Sequence, residues 1–235
     1  MNGKVYLSEL AHPRLQEYLK SKGYEIQLVK QTDAVYPEVS SHADLYMCKL
    51  GAEPEAPVFH VEDISELGYR YPANVKYNGV CMGKYFIHNT EHTSSRLMGE
   101  LEAKGLIPIK VKQGYTKCNM VVVNDHAAIT SDVGLYNSIQ AYKKKSISEG
   151  TADEHNFPEI LLIRQGYVDL PGFSYGFLGG ASGRVGDEIV FNGNLESHPD
   201  FRKIQLFIEA QGLKVKYFPE YPLTDIGSII EERRL

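Results

Sequence analysis

Two of the three cysteines stand where a thiol could become a nucleophile. Cys118 lies between Lys117 and Asn119, and Cys48 follows shortly after Asp44. The thiolate is the attacking species and a neighbouring ammonium favours it, so Lys117 predicts a lowered pKa for Cys118. The competing role for either thiol is a small apolar side chain buried in a strand. Carboxylates at Asp44 and Asp225 carry the charge to hold a cationic group beside such a thiol. Asp44, Asn78, Asn119, Ser182 and Asp225 open successive chain segments of the same element order. A circular arrangement of those segments would gather all of them round one central channel. Such a ring suits a small polar or cationic metabolite, and equally a structural role in satisfying strand-end amides. Asp132, after Ile129-Thr130-Ser131, either joins this substrate-binding set or caps the helix entering at Gly134.

Two further motifs resolve into turns. His88-Asn89-Thr90-Glu91-His92 matches the H-x-x-E-H spacing of inverted zinc proteases, but that chemistry needs one helix to carry both imidazoles. Here Tyr85 to His88 reads as a strand and Thr93 to Ser95 as the cap of a later helix, so no metal is expected. Gly180-Ala181-Ser182-Gly183-Arg184-Val185-Gly186 resembles a dinucleotide-binding glycine turn, yet β-like residues follow it where a helix would have to begin. It reads as a tight inter-strand turn near the axis, whose Ser182 and exposed amides could receive an anion. No cofactor is expected.

The elements that must position these residues are written as a repeat. Three amphipathic helices end at a glycine and pass at once into a strand: Leu15 to Leu19 into Gly23-Tyr24-Glu25-Ile26, Arg96 to Met98 into Gly105-Leu106-Ile107, and Ile204 to Ile208 into Gly212-Leu213-Lys214-Val215. His12-Pro13 and His198-Pro199-Asp200 mark helix entrances, with Ser197 or Asp200 as the cap. Gln113-Gly114-Tyr115 and Gln165-Gly166-Tyr167 echo one another and imply a fourth copy, its helix over Gly134 to Lys145 and an exposed loop over 143–156. A degenerate fifth unit fits between Gly23 and Gly105, with 61–74 in place of its helix. Short strand pairs precede the helices: Leu45 to Leu50 with Val58 to His60, Gly79 to Met82 with Tyr85 to His88, Cys118 to Val123 with Ala127 to Thr130, and Phe177 to Gly179 with Glu188 to Phe191. Thr224 to Ile230 reads as a lone strand that completes the N-terminal unit, which removes exposed sheet edges. The reading is one α/β domain over residues 1–235.

Composition narrows the partners. Lys and Arg number 25 against 30 Asp and Glu, a formal charge of −5, so no global cationic surface awaits nucleic acid. Hydrophobic residues at 43% and charged residues at 23% are ordinary globular values and argue against a disordered or fibrous chain. Three scattered cysteines make no disulfide framework, which points to a reducing, cytoplasmic setting. No stretch approaches the ~18 apolar residues of a membrane span, and nothing in the sequence sets an oligomeric state.

Five strand–helix units closed by the N- and C-terminal strands, with Pro222-Leu223-Thr224-Asp225-Ile226-Gly227-Ser228 near the end, resemble the pentein fold of guanidine-modifying enzymes, a five-bladed pseudo-symmetric α/β propeller. His42-Ala43-Asp44-Leu45-Tyr46-Met47-Cys48, Gly114 to Asn119 and Tyr175 to Gly183 resemble an uncharacterised bacterial family of that fold. The resemblance implies a hydrolase or amidinotransferase-like enzyme acting on a small guanidinium or amine-bearing metabolite, with Cys thiolate, His and carboxylates converging at the axis. At three positions this chain departs from those enzymes. Ala181 stands where the Gly-Gly turn is followed by an acid, Leu223 stands for the His of a His-x-Asp strand, and no Cys follows Asp225. In a circular fold Cys48, in the unit next to Asp225, could stand in, with Cys118 as the competing nucleophile. The fold also implies an alternative: a non-catalytic binding protein with a protein or ribosome-associated partner, since Val121-Val122-Val123-Asn124-Asp125 resembles a pentein translation factor that keeps ribosomal subunits apart.

Overall fold

The computed structural model describes residues 2–233 and holds a mixed α/β fold of five small sheets and five helices among those residues. The order is β1 (Lys4–Ser8), α1 (Pro13–Ser21), β2 (Glu25–Val29), β3 (Met47–Lys49), β4 (Val58–His60), β5 (Val80–Met82), β6 (Tyr85–His88), α2 (Ser95–Ala103), β7 (Ile107–Lys110), α3 (Thr116–Asn119), β8 (Met120–Asn124), β9 (Ala127–Thr130), α4 (Val133–Ser148), β10 (Glu159–Leu162), β11 (Ser182–Val185), β12 (Glu188–Phe191), α5 (Phe201–Ala210), β13 (Lys214–Lys216) and β14 (Ile230–Glu232). No helix among the described residues is long and apolar enough to cross a membrane.

One construction is used repeatedly. An inner strand pairs antiparallel with a middle strand, and a helix then carries the chain to an outer strand parallel to the middle one, as in β5-β6-β7, β8-β9-β10 and β11-β12-β13. The unit of β14, β1 and β2 is assembled from both ends of the chain, with Val5 opposite Glu231. The unit of β3 and β4 lacks the helix and outer strand, and a 3₁₀ turn at Ile64–Glu66 stands in their place. Each long helix buries residues one turn apart: Leu15 and Leu19, Leu97 and Leu101, Leu135 and Ile139, Ile204 and Ile208. The exits at Gly23, Gly105, Gly150 and Gly212 all have φ between +68° and +85°, the left-handed turn that lets the chain fold back into its outer strand.

The structure corrects several sequence expectations. Cys118 lies in the short helix α3, and its strand begins at Met120. The inner strand of the unit of β11, β12 and β13 is Ser182–Val185, inside the segment expected to be a turn, and Phe177 to Gly179 precedes it as irregular chain. The final strand is Ile230–Glu232, and Thr224 makes only an isolated bridge to Asp169. Helix α4 runs on to Ser148, well into the expected loop. Asp200 sits at the N-cap of α5, but its carboxylate is taken by the Arg164 guanidinium at 2.8 Å instead of the helix amides.

Candidate functional site

The residues just before the five inner strands meet in one place. Asn78 O accepts from Lys117 N at 3.0 Å, Cys118 O from Gly180 N at 2.8 Å, Gly180 O from Ser228 N at 2.7 Å, and Gly227 O from Asp44 N at 3.1 Å. Asn78 Nδ2 donates to Asp44 O at 3.2 Å, so the hydrogen bonds make a circuit through all five units and return to their start. Below this hub the inner strands lie side by side in the sequence β3, β5, β8, β11, β14. A cavity of about 40 Å³ is lined by Lys49, Cys81, Val122, Arg184 and Glu231, one residue from each inner strand, together with Lys117. That volume holds a few waters and no metabolite.

Inside the hub the Cys118 thiol donates to Asp44 Oδ2 at 3.0 Å and accepts from Asn78 Nδ2 at 3.3 Å. Ser228 Oγ donates to the same Asp44 oxygen at 2.6 Å, and Lys117 Nζ donates to Ser228 Oγ at 3.0 Å. Asn78 Oδ1 accepts from the backbone N–H of Lys117 and of Cys118, fixing the α3 turn. Burial, then the neighbouring Asp44 and Asp225 carboxylates, push the Cys118 thiol well above its ordinary pKa. This reverses the expectation of a lowered value. The Lys117 ammonium points at Ser228 and at Gly179 O, while two acids face the sulfur, and burial lowers the pKa of Lys117 itself.

His42 and Asp225 form the outer part of the same region. Asp225 Oδ1 and Oδ2 each accept a backbone N–H at 2.9 Å, from Gly227 and Phe177, yet burial still raises this carboxyl to about 6. Burial lowers His42 to about 4, and its Nδ1 lies 3.9 Å from Asp225 Oδ1. Close packing depends on missing side chains. A Cβ on Gly227 would lie 2.1 Å from that of His42, and one on Gly180 would lie 2.0 Å from Asp225 Oδ1. His42 and Asp225 line a groove of about 600 Å³, with Glu38, Gln31, Thr224 and Leu10 among its walls.

Of the sequence candidates, Asp44, Asn78 and Cys118 are brought together at the hub, and Asp225 stands beside it. Ser182 is adjacent: its amide bonds Gly179 O, and its buried hydroxyl has no partner. Three candidates are elsewhere. Cys48, 2% exposed, donates to Gly79 O at 3.5 Å and has Cys81 as its neighbour, with no acid on the sulfur. Asn119 turns back to Tyr115 O at 2.8 Å within its own helical turn. Asp132 caps α4 through Leu135 N at 2.8 Å and accepts from Gln113. His88, from the zinc-like motif, is buried in β6 between Thr93 and Gly114 O. Sequence reasoning missed His42 and Ser228. The signal was present, since His42-Ala43-Asp44 is itself a His-x-Asp triplet and Ser228 holds the same place before β14 that Cys118 holds before β8.

The fold and hub thus define a five-unit α/β protein with one polar centre. Over residues 6–230 the chain matches the model of a family of unknown function, DUF6873, and it belongs to that family. No similar protein is found among curated proteins or among solved structures.

Proposed function

We propose that the chain is a five-bladed α/β propeller of the guanidine-modifying-enzyme (pentein) type that binds a small amine- or guanidinium-bearing metabolite in the groove over His42 and Asp225. The hydrogen-bond circuit and the cavity shared by all five inner strands support the propeller reading. One observation carries the ligand reading: Asp225 and Glu38 are among the residues that line the groove, and no Lys or Arg is among the described residues lining it. Burial raises the Asp225 carboxyl to about 6, so a cation seated over it favours the ionised form and gains a buried counter-charge. The three free thiols fit a reducing, cytoplasmic setting.

Chemistry on such a ligand would fall to Cys118, whose thiol proton has an acceptor in Asp44 Oδ2 at 3.0 Å. In the free protein this sulfur is a neutral, 2% exposed thiol, and Cys118 is not among the residues lining the groove. Binding is therefore the primary claim. A non-catalytic role with a protein partner is the second reading, favoured by the exposed Leu10 on the groove wall and the exposed Phe173 that follows the groove residue Gly172 in sequence. A thermal-shift screen against arginine, agmatine and related guanidines separates the two. A ligand that binds only the folded state raises the melting point, whereas no shift with any of them contradicts the metabolite reading.

A further inference from the structure

Cys118 Sγ, a carboxylate oxygen of Asp44 and a ring nitrogen of His42 all lie within 4.8 Å of one another, and all three residues are buried. Asp44 Oδ2 already accepts from Cys118 and Ser228, while Asp44 Oδ1, out of contact with water, has no hydrogen-bond partner. Asp44 as a whole is 0% exposed, and leaving a carboxylate oxygen bare at such depth is costly unless something else meets it. We propose that His42, Asp44 and Cys118 are the protein ligands of one zinc-class divalent cation, with Asp44 Oδ1 turned to the metal.

Three features of the site support this. The donor set of one thiolate, one imidazole and one carboxylate suits a borderline-soft ion such as Zn²⁺ and is poor for Mg²⁺ or Ca²⁺, which take oxygen. The spacing is close to that required, since donors on a tetrahedral Zn²⁺ stand about 3.3–3.8 Å apart. All three donors already lie within 4.8 Å of one another, so they need close by no more than about 1.5 Å to reach it. An outer shell also stands ready: Asp225 Oδ1 lies 3.9 Å from His42 Nδ1, where a carboxylate orients a ligating ring, and Asn78 Nδ2 lies 3.3 Å from the sulfur.

Charge runs the same way. The region holds the two carboxylates of Asp44 and Asp225 against the one ammonium of Lys117. On binding, the Cys118 S–H bond breaks, a sulfur–metal bond forms and one proton leaves to solvent. The incoming divalent ion and the new thiolate together add one positive charge and bring the cluster to neutrality. No local spacing announces the site, because its ligands come from two units and Cys118 is 74 residues from Asp44. The inference goes beyond the groove ligand and does not depend on it.

The test uses the full chain, stripped by dialysis against a chelator. Co²⁺ titration should give one ion per chain with a thiolate-to-cobalt charge-transfer band, and Zn²⁺ should compete it away. Cys118→Ser should abolish the band. His42→Asn should weaken Zn²⁺ binding at least tenfold against a chromophoric chelator, with circular dichroism confirming that the variant is folded. Absence of the charge-transfer band in the wild-type protein overturns the proposal without recourse to any variant. So does Zn²⁺ affinity that is unchanged in folded His42→Asn.

Discussion

The Cys118 thiol donates a hydrogen bond to Asp44 Oδ2 at 3.0 Å, joining residues 74 apart in sequence through the centre of the molecule. The same oxygen accepts from Ser228, so a single carboxylate holds the start of β14 and the start of β8 together. The hub is therefore a structural device as well as a candidate site, and the two roles make different predictions.

Asp44→Ala leaves the Cys118 thiol without its acceptor, while the Ser228 hydroxyl keeps Gly179 O at 3.1 Å. A buried unpaired donor costs about 1–3 kcal/mol, so the variant should lose at least about 1 kcal/mol in urea unfolding. A double-mutant cycle with Cys118→Ala should show coupling of about 1 kcal/mol. Strict additivity would mean that the thiol–carboxylate contact contributes nothing.

Thiol labelling addresses the state of the sulfur. Because burial and two acids hold Cys118 as a thiol, native protein at pH 7 should react with an alkylating reagent far more slowly than a free cysteine, and all three thiols should become reactive together in denaturant. Rapid native labelling that maps to Cys118 would contradict this electrostatic description.

Two glycine substitutions separate close packing from open space. Gly180→Ala would place a Cβ 2.0 Å from Asp225 Oδ1, and overpacking of this kind should cost about 3 kcal/mol or more. Gly99→Ala, at an exposed position in α2 with nothing within 4 Å, should stabilise by about 0.5–1 kcal/mol in the same denaturation assay. Equal effects from the two would show that Gly180 is not packed as described.

The pH dependence of stability has two opposed contributions. Asp225 rises from its ordinary 3.8 to about 6, so its contribution is full below pH 3.8 and is lost as pH rises through 6. His42 falls from 6.5 to about 4, so its contribution is full above pH 6.5 and is lost as pH falls through 4. The stability difference between wild type and His42→Asn should thus grow by about 3 kcal/mol from pH 4 to pH 6.5. For Asp225→Asn the difference should shrink as pH rises from 4 to 7. A flat difference for both variants would show that neither group is buried as described.

The repeat was legible because helices and strands leave periodic marks. Leu15 to Leu19, Arg96 to Met98 and Ile204 to Ile208, with the glycine exits after them, predicted three helix-to-strand passages, and the structure has all three. The hub was legible only to within one to three residues. Asn119 was expected where Cys118 makes the contact, and Asp225 where Ser228 does. These residues sit in single helical turns and irregular segments, where no two-residue alternation sets which side chain faces inward. Lys117 misled for a related reason: adjacency in sequence put an ammonium beside the thiol, whereas in space the ammonium reaches Ser228 and Gly179 O. Of the His42, Asp44 and Cys118 cluster only the His42-Ala43-Asp44 triplet left a local mark, since Cys118 comes from a different unit.

The most direct test of the central claim is isothermal titration of the wild-type chain with agmatine and with arginine at pH 7, repeated on Asp225→Asn and Glu38→Gln. A groove that recognises such cations should give saturable one-to-one binding of at least one of them, lost in Asp225→Asn and weakened in Glu38→Gln. Absence of binding to both compounds, or binding undiminished in a folded Asp225→Asn protein, would contradict it.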